Sequence, residues 1–331
     1  MTLSTADDRD EIALSVVIVT KNEADRIERC LESVIEACQQ TVSRFEVVVV
    51  DSKSTDDTVE KASAYPVTVV RLTTDDVTPG AGRRVGTELV DASRILFVDG
   101  DMEIEADWLT AAISYMEGHQ VAAVDGHLNE TGSNRPEPVS SVRGVALYDR
   151  EALESVGGFD PYLGALEDIH LGFELGVAGH RMVRLPEVAA THPDRAHLFE
   201  PLRRWRRGYS KGTGHALRRS WPSPTLLGNH LYRIRFRLTI LAWLLAGVLA
   251  IRHRRTLVAW IGVAGLAFGV VVRHRGVSDS LLFFLHKTVG LLGLGLGIVD
   301  PVPPPERYPV DSVEVLSEGD SIHGVPSVMD R

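Results

Sequence analysis

The chain has 331 residues, a formal net charge of −10 and 44% hydrophobic residues. That length suits one large domain with an appendage or two modest domains. The acidic balance argues against sequence-independent nucleic-acid binding, which needs a basic face to displace counterions. Charge nevertheless changes sign along the chain: ten Arg and Lys residues fall between 203 and 237, and the stretch after Asp300 is acidic.

In chain order, "LSVVIVT" (14–20) predicts a buried strand and "KNEADRIERCLESVIEAC" a helix. Cys30 and Cys38, the two cysteines, fall in that helix. Eight helical residues separate them by about 12 Å, too far for a disulfide, and they read as core filler in a reducing compartment. The N-terminal "MTLSTADDRDEIALS" has no basic start followed by an apolar run, so a secretory signal is not expected and the domain is placed in the cytoplasm. "FEVVVVDS" predicts a second strand, "TDDTVEKASAY" a helix begun by Thr55 or Asp56, and "VTVVRL" a third strand. "RRVGTELVDA" reads as a helix and "RILFVD" as a fourth strand. Apolar strands alternating with helices imply a mostly parallel α/β sheet covered on both faces. Ligands of such sheets sit beyond the carboxyl ends of the strands, where Thr20, Asp51 and Asp99 fall. The segment from "SVRGVALYD" to "MVRLPE" predicts a strand, a short helix, a Gly-rich turn, a helix and a strand.

After Arg237 come three apolar runs, 238–251, 257–272 and 281–299, the third interrupted by His286 and Lys287. A spanning helix needs about 20 mostly apolar residues. The first two are short, so they read as spans ended by snorkelling arginines, as a hairpin in one leaflet, or as a buried bundle. The basic stretch before the first run suggests that this flank faces the cytoplasm. The "GLGLG" at 293–297 follows no strand and reads as close helix packing, not nucleotide binding.

No Gly-rich loop follows the first strand, which leaves neither a dinucleotide fingerprint nor a P-loop. Diphosphate charge then falls to a metal, to basic side chains, or to both. In "DGDME", Asp99 and Asp101 flank one Gly and can turn toward a single point, the usual way of holding Mg²⁺ or Mn²⁺ with water and phosphate oxygens. A calcium loop fits worse, since its sixth position needs Gly and here is Ile104. The stretch also reads as a solvated turn whose acids cap the following helix.

"SVVIVTKNEADRIERCLESV", "FEVVVVDSKSTDDTVEKA", "PGAGRRVGTELVDASRILFVDGD" and "GGFDPYLGALEDIHLGFEL" occur in that order. Together they resemble the family 2 glycosyltransferases, including those of archaeal and bacterial lipid-linked glycan or polysaccharide assembly, over about two thirds of the chain, 14–214. The resemblance implies a GT-A (Rossmann-like) sheet followed by membrane helices. It also implies that Thr20, Asn22, Glu23 and Asp51 contact the nucleotide, with Asp51 facing the base, and that Arg83 approaches the nucleotide or sugar. Arg84 stands where the family usually has Asn. Asp99 and Asp101 correspond to the metal-binding Asp-x-Asp at the nucleotide sugar, with Glu103 as an added ligand. Glu167 and Asp168 resemble the catalytic acidic pair, with Asp168 as general base; acids complementing a helix dipole are the other account of them. "PLRRW" resembles the Gln-x-x-Arg-Trp of processive synthases but begins with Pro201, so only Arg204 and Trp205 carry over as donor contacts. A basic amphipathic helix on anionic headgroups explains the same arginines. His192 is read as a metal or diphosphate contact or as structural.

These readings divide the chain into an extension (1–13), a GT-A domain (14–200), a basic juxtamembrane segment (201–237), two to three membrane helices (238–299) and an acidic, flexible tail (300–331). They describe a metal-dependent, inverting transferase using a UDP- or GDP-sugar at the cytoplasmic membrane face, in protein N-glycosylation or surface polysaccharide synthesis. Because an acid pair suits a hydroxyl that must lose a proton, the acceptor is expected to be a lipid-linked saccharide. The alternatives are transfer to a polyprenyl phosphate such as dolichyl phosphate, a sugar nucleotidyltransferase, and a non-catalytic nucleotide-sugar-binding membrane scaffold.

Overall fold

The structure, a computed structural model, describes residues 13–192, 205 and 208–324. The chain divides into two compact units, Met1–Asp194 with Pro303–Arg331, and Arg195–Val302.

The first unit is built on one twisted sheet. Strand β1 (Leu14–Thr20) pairs in parallel with β2 (Arg44–Asp51) and with β4 (Arg94–Asp99), and β2 pairs in parallel with β3 (Thr68–Leu72). Alternate β1 residues serve opposite faces, Val16 and Ile18 joining one buried cluster and Val17 and Val19 the other. Helices α1 (Ile27–Thr41) and α4 (Ala106–Gly118) cover the first face; α1 buries Ile27, Cys30, Leu31, Val34, Ala37 and Cys38 at helical spacing, with both cysteines free. Helices α3 (Pro79–Glu88), α5 (Arg150–Ser155) and α6 (Glu167–Val177) cover the second. The short α2 (Thr58–Ala62) follows β2.

Beyond β4 the sheet is mixed. β8 (Ala146–Asp149) lies between β4 and β6 (Ala123–Leu128), antiparallel to both. β9 (Met182–Thr191) runs parallel to β6, while the short β5 (Glu103–Ile104) and β7 (Glu137–Val139) pair antiparallel to β9. The expectation of a mostly parallel sheet therefore holds for the β3–β2–β1–β4 half alone. Alternating strands and helices show which segments are extended, but an inserted antiparallel strand has the same local signature.

The described part of the tail, up to Gly324, packs on the first unit instead of forming a flexible extension. β10 (Val313–Ser317) adds antiparallel to β3, and β11 (Ile322–His323) to β2. Tyr308 is buried and its hydroxyl donates to the Asp76 carbonyl at 3.0 Å. Acidic composition conceals the short strand around Val313 and the anchoring Tyr308, which together cover the edge of β3.

The second unit contains α7 (Gly212–Ser220), α8 (Pro224–Ala250), α9 (Arg254–Arg275) and α10 (Val277–Val299). The boundary expected after Arg237 is absent: α8 carries the last three arginines of the basic stretch, Arg233, Arg235 and Arg237, and the first apolar run in one helix, because Arg and Leu are both good helix formers. By length and composition α9 and α10 are apolar enough to cross a membrane. Gly293 and Gly297 lie against the backbone of Ser210 and Lys211, where a Cβ would collide, so the "GLGLG" is a close-packing surface.

Candidate active site

Three parallel strands end side by side. Thr20 is paired with Asp51 and Val19 with Asp99, which brings the β1, β2 and β4 termini to one edge of the sheet. The Thr20 hydroxyl is buried there and has no hydrogen-bond partner among the described residues.

Asp51 is fully buried, accepting from Arg71 Nε at 2.9 Å and from the Ser54 amide at 3.1 and 3.2 Å. Arg71 faces it from β3. A lone arginine in the apolar "VTVVRL" was the available signal for this partner, and sequence reasoning passed over it. Asn22 adopts a left-handed backbone (φ 57°), which asparagine tolerates. Its side-chain Oδ1 accepts from the Thr55 backbone amide at 2.7 Å, and its own backbone N–H donates to Ser54 Oγ at 2.8 Å. The Glu23 amide donates to Thr58 Oγ1 at 2.8 Å. Asn22 and Glu23 thus knit the loop after β1 to the loop after β2, forming one rim of the site.

Gly100, between the two acids of Asp-Gly-Asp, permits a close crossing. A Cβ there would lie 2.8 Å from both Cβ and Oγ1 of Thr20, and the Gly100 amide donates to the Val19 carbonyl at 2.9 Å. The two carboxylates take different partners. Asp99 Oδ1 accepts from Arg83 Nη2 at 2.6 Å, whereas Asp101 Oδ2 lies 3.6 Å from His192 Nε2. His192 is held from behind by Asn129, whose side-chain oxygen accepts the His192 amide at 2.7 Å. Nothing in the sequence marked Asn129 for that task. Glu103 is exposed and lies 3.9 Å from Arg29 on α1.

Arg83 reaches the strand ends from α3, which can lie close because Gly86 sits directly on Val17 of β1. Its guanidinium is buried, donating Nη2 to Asp99 and Nη1 to Glu167, each at 2.6 Å, with the Phe159 ring 5.7 Å away. Arg84 points instead to the Gly157 carbonyl and to Glu88, tying α3 to the turn before Phe159. Glu167 and Asp168 open α6 after Leu166, which holds a left-handed backbone (φ 67°) that is strained for a side chain of its size. Burial pushes the Glu167 carboxyl up to about 7, with Arg83 opposing the rise and Asp168 adding to it. Burial also raises Asp99, again opposed by Arg83 and reinforced by Asp101 and Asp168. Asp168 accepts from the Ile169 amide at 2.7 Å and lines a small cleft with Arg83, Arg143, Gly144, Tyr148 and Phe159. Arg143 is fixed by its amide, which donates to Asp125 at 3.2 Å; Asp125 is itself gripped by Arg184 at 2.5 and 3.0 Å. Arg204 lies outside the described residues, and Trp205 is an exposed residue of the second unit.

Among the described residues no three acidic, His or Cys side chains are gathered as a ready metal cage. The pair Asp101 and His192 nonetheless suits a divalent cation. Neighbouring donors on an octahedral ion at about 2.1 Å are about 3 Å apart, close to the 3.6 Å seen. Mg²⁺ and Mn²⁺ are commonly held by one or two protein donors, with substrate phosphates and water completing the shell.

Residues 15–157 match the family model described as Glycosyl transferase family 2. The chain carries a family 2 glycosyltransferase domain. It is 28% identical over 205 residues to Glycosyltransferase AglE of Haloferax volcanii, covering 55% of this chain and 67% of that protein. It is 22% identical over 207 residues to the O-antigen chain rhamnosyltransferase WbaN of Salmonella anatum, covering 54% of this chain and 65% of that protein. The matched stretch thus spans about two thirds of each relative. The mannosyltransferase PcManGT from Pyrobaculum calidifontis, solved with GDP-Man and Mn²⁺, has a TM-score of 0.60 at 19% identity, covering 91% of this chain and 92% of that one. That likeness shows the GT-A fold of the family 2 domain.

Proposed function

We propose that this glycosyltransferase is metal-dependent and inverting, moving a sugar from a UDP- or GDP-sugar to a hydroxyl of a lipid-linked saccharide at the cytoplasmic membrane face. The observation that carries the reading is the division of labour between the adjacent acids: Glu167 is locked to Arg83, while Asp168 lines the cleft. Thr20, Asn22, Glu23 and Asp51 form the rim that receives the nucleotide, and the buried Thr20 hydroxyl supplies a polar contact there. Asp101 and His192 would hold Mn²⁺ or Mg²⁺, which would supply positive charge to the leaving diphosphate. Asp168 accepts the proton of the acceptor hydroxyl as its oxygen attacks the anomeric carbon opposite the diphosphate, so the product has inverted configuration. Arg83 keeps Asp99 and Glu167 in place as charge moves.

The acceptor assignment follows from the base. A lipid phosphate is already ionised near neutral pH and gains little from a proton acceptor, whereas a sugar hydroxyl gains much. The name of WbaN, an O-antigen chain rhamnosyltransferase, and the two apolar helices α9 and α10 point the same way. The test gives purified full-length protein a panel of sugar nucleotides with either polyprenyl phosphate or a polyprenyl-diphosphate-linked saccharide, with Mn²⁺ or EDTA. Metal-dependent transfer to the saccharide, lost in Asp168→Asn, is expected. Transfer to polyprenyl phosphate alone that survives Asp168→Asn overturns the assignment.

A further inference from the structure

In the second unit, two cations from two helices sit over a pair of aromatic rings, and an arginine of a third helix lies close by. The Arg275 guanidinium, at the end of α9, lies 4.8 Å from the centre of the Phe283 ring on α10. The Lys287 ammonium lies 5.1 Å from that ring and 6.0 Å from the ring of Phe236 on α8. The two rings are themselves in contact, with centroids 5.9 Å apart. Arg237, next to Phe236, donates to Thr213 Oγ1 at 3.1 Å and passes beside Gly290, one turn beyond Lys287, with Cζ 3.3 Å from where a Cβ would stand. Both arginines are near enough to repel the lysine.

Aromatic faces attract each cation but leave the net charge of the group unchanged. Among the described residues no carboxylate lies within ion-pairing distance of Arg275 or Lys287, and the neighbouring Asp279 is in contact with Ser278. Like charges gathered on an apolar helical unit favour a multivalent oxyanion, and a phosphate accepts from several arginine and lysine donors at once. The surroundings indicate how that phosphate arrives. Leu281 and Leu285, on the same helix, are 57% and 43% exposed, as apolar side chains facing acyl chains would be. Basic pockets between membrane helices take lipid head groups in this way.

We propose that Arg237, Arg275 and Lys287 form a binding site for the phosphate of an anionic membrane lipid. The proposal rests on the membrane part of the proposed function and not on its chemistry. The experiment uses the full chain in a neutral detergent and counts bound lipids by native mass spectrometry as phosphatidylglycerol, polyprenyl phosphate, phosphatidylcholine or inorganic phosphate is added. One saturable site for an anionic lipid is expected, weakened roughly fivefold by each of Lys287→Met and Arg275→Gln and retained in Lys287→Arg. Preference for polyprenyl phosphate over phosphatidylglycerol, with the same response to the variants, supports the site and identifies the acceptor's carrier as its source. Equal binding of phosphatidylcholine, equal competition by inorganic phosphate, or unchanged affinity in both charge-removing variants overturns it. Donor turnover with a water-soluble acceptor should be unaltered in Lys287→Met, which separates loss of this site from misfolding and from failure of the transfer chemistry. A chain that remains soluble without detergent and binds no lipid overturns this proposal while leaving sugar transfer intact.

Discussion

Arg83 Nη2 donates to Asp99 Oδ1 at 2.6 Å, joining a helix on one face of the sheet to the first acid of the Asp-Gly-Asp motif. The other end of the same guanidinium holds Glu167. One buried side chain therefore ties the candidate metal loop to Glu167, the neighbour of the candidate base Asp168.

Replacing that arginine should cost more than a contact. Arg83→Gln leaves Glu167 buried without its cation, and breaking buried pairs costs roughly 3–5 kcal/mol; the partial exposure of Asp99 favours the lower end. Urea denaturation measures the loss. Carboxyl NMR should show Glu167 titrating above about 7, since Arg83 opposes the rise. An unmoved titration would show that the guanidinium does not act on that acid.

Glu167 also makes stability depend on pH in a defined direction. Its ordinary value is 4.5 and its folded value about 7. Between these the folded chain binds more protons than the unfolded one, so this group's contribution falls as pH rises from 4.5 to about 7. In Glu167→Gln the decline across that window should be shallower, as read from denaturation midpoints at several pH values.

Gly100→Ala tests the close crossing of β1 and the acidic loop. The added methyl meets Thr20 at 2.8 Å, and overpacking of this kind costs about 1–3 kcal/mol. Transfer should fall further than melting temperature does, because Asp99 and Asp101 flank the displaced residue. Normal turnover in a folded Gly100→Ala protein would argue that the loop need not be held in this position.

Asp101 and Glu103 should behave differently although they are two residues apart. Asp101→Ala removes the acid beside His192 and should lower metal-dependent transfer by roughly 10²-fold or more. Glu103→Ala removes an exposed partner of Arg29 and should leave transfer within about twofold, since exposed pairs contribute about 0–1 kcal/mol. Steady-state rates across a Mn²⁺ titration decide; equal losses would place Glu103 at the ion.

Removal of 303–331 should destabilise the first unit, because β10 and β11 cover strand edges and Tyr308 is buried. Aggregation or a lower denaturation midpoint is expected in the truncated chain. An unchanged midpoint would restore the view of the tail as a loose extension.

Much was legible without a structure. The strands ending in Thr20, Asp51 and Asp99, the helix carrying both cysteines, and the apolar runs of the second unit follow from local apolar periodicity, a property of neighbours in the chain, although the run at 257–272 belongs to a longer helix than its apolar residues alone suggest. The same locality explains the errors. An inserted antiparallel strand such as β8 has the signature of a parallel one, and the edge strands of the tail are too short and too acidic to stand out.

By itself, then, the sequence determined which carboxylates stand at strand ends and which helix opens with an acid pair, because spacing of about 2 or 3.6 residues sets which side chains share a face. Only the tertiary structure decided what each of them touches. Arg83 meets Glu167 across 84 positions of chain, Arg71 takes Asp51, and Asn129 holds His192 beside Asp101. Those partnerships depend on strand register and on how closely α3 approaches the sheet, and both are settled by packing between segments distant in sequence.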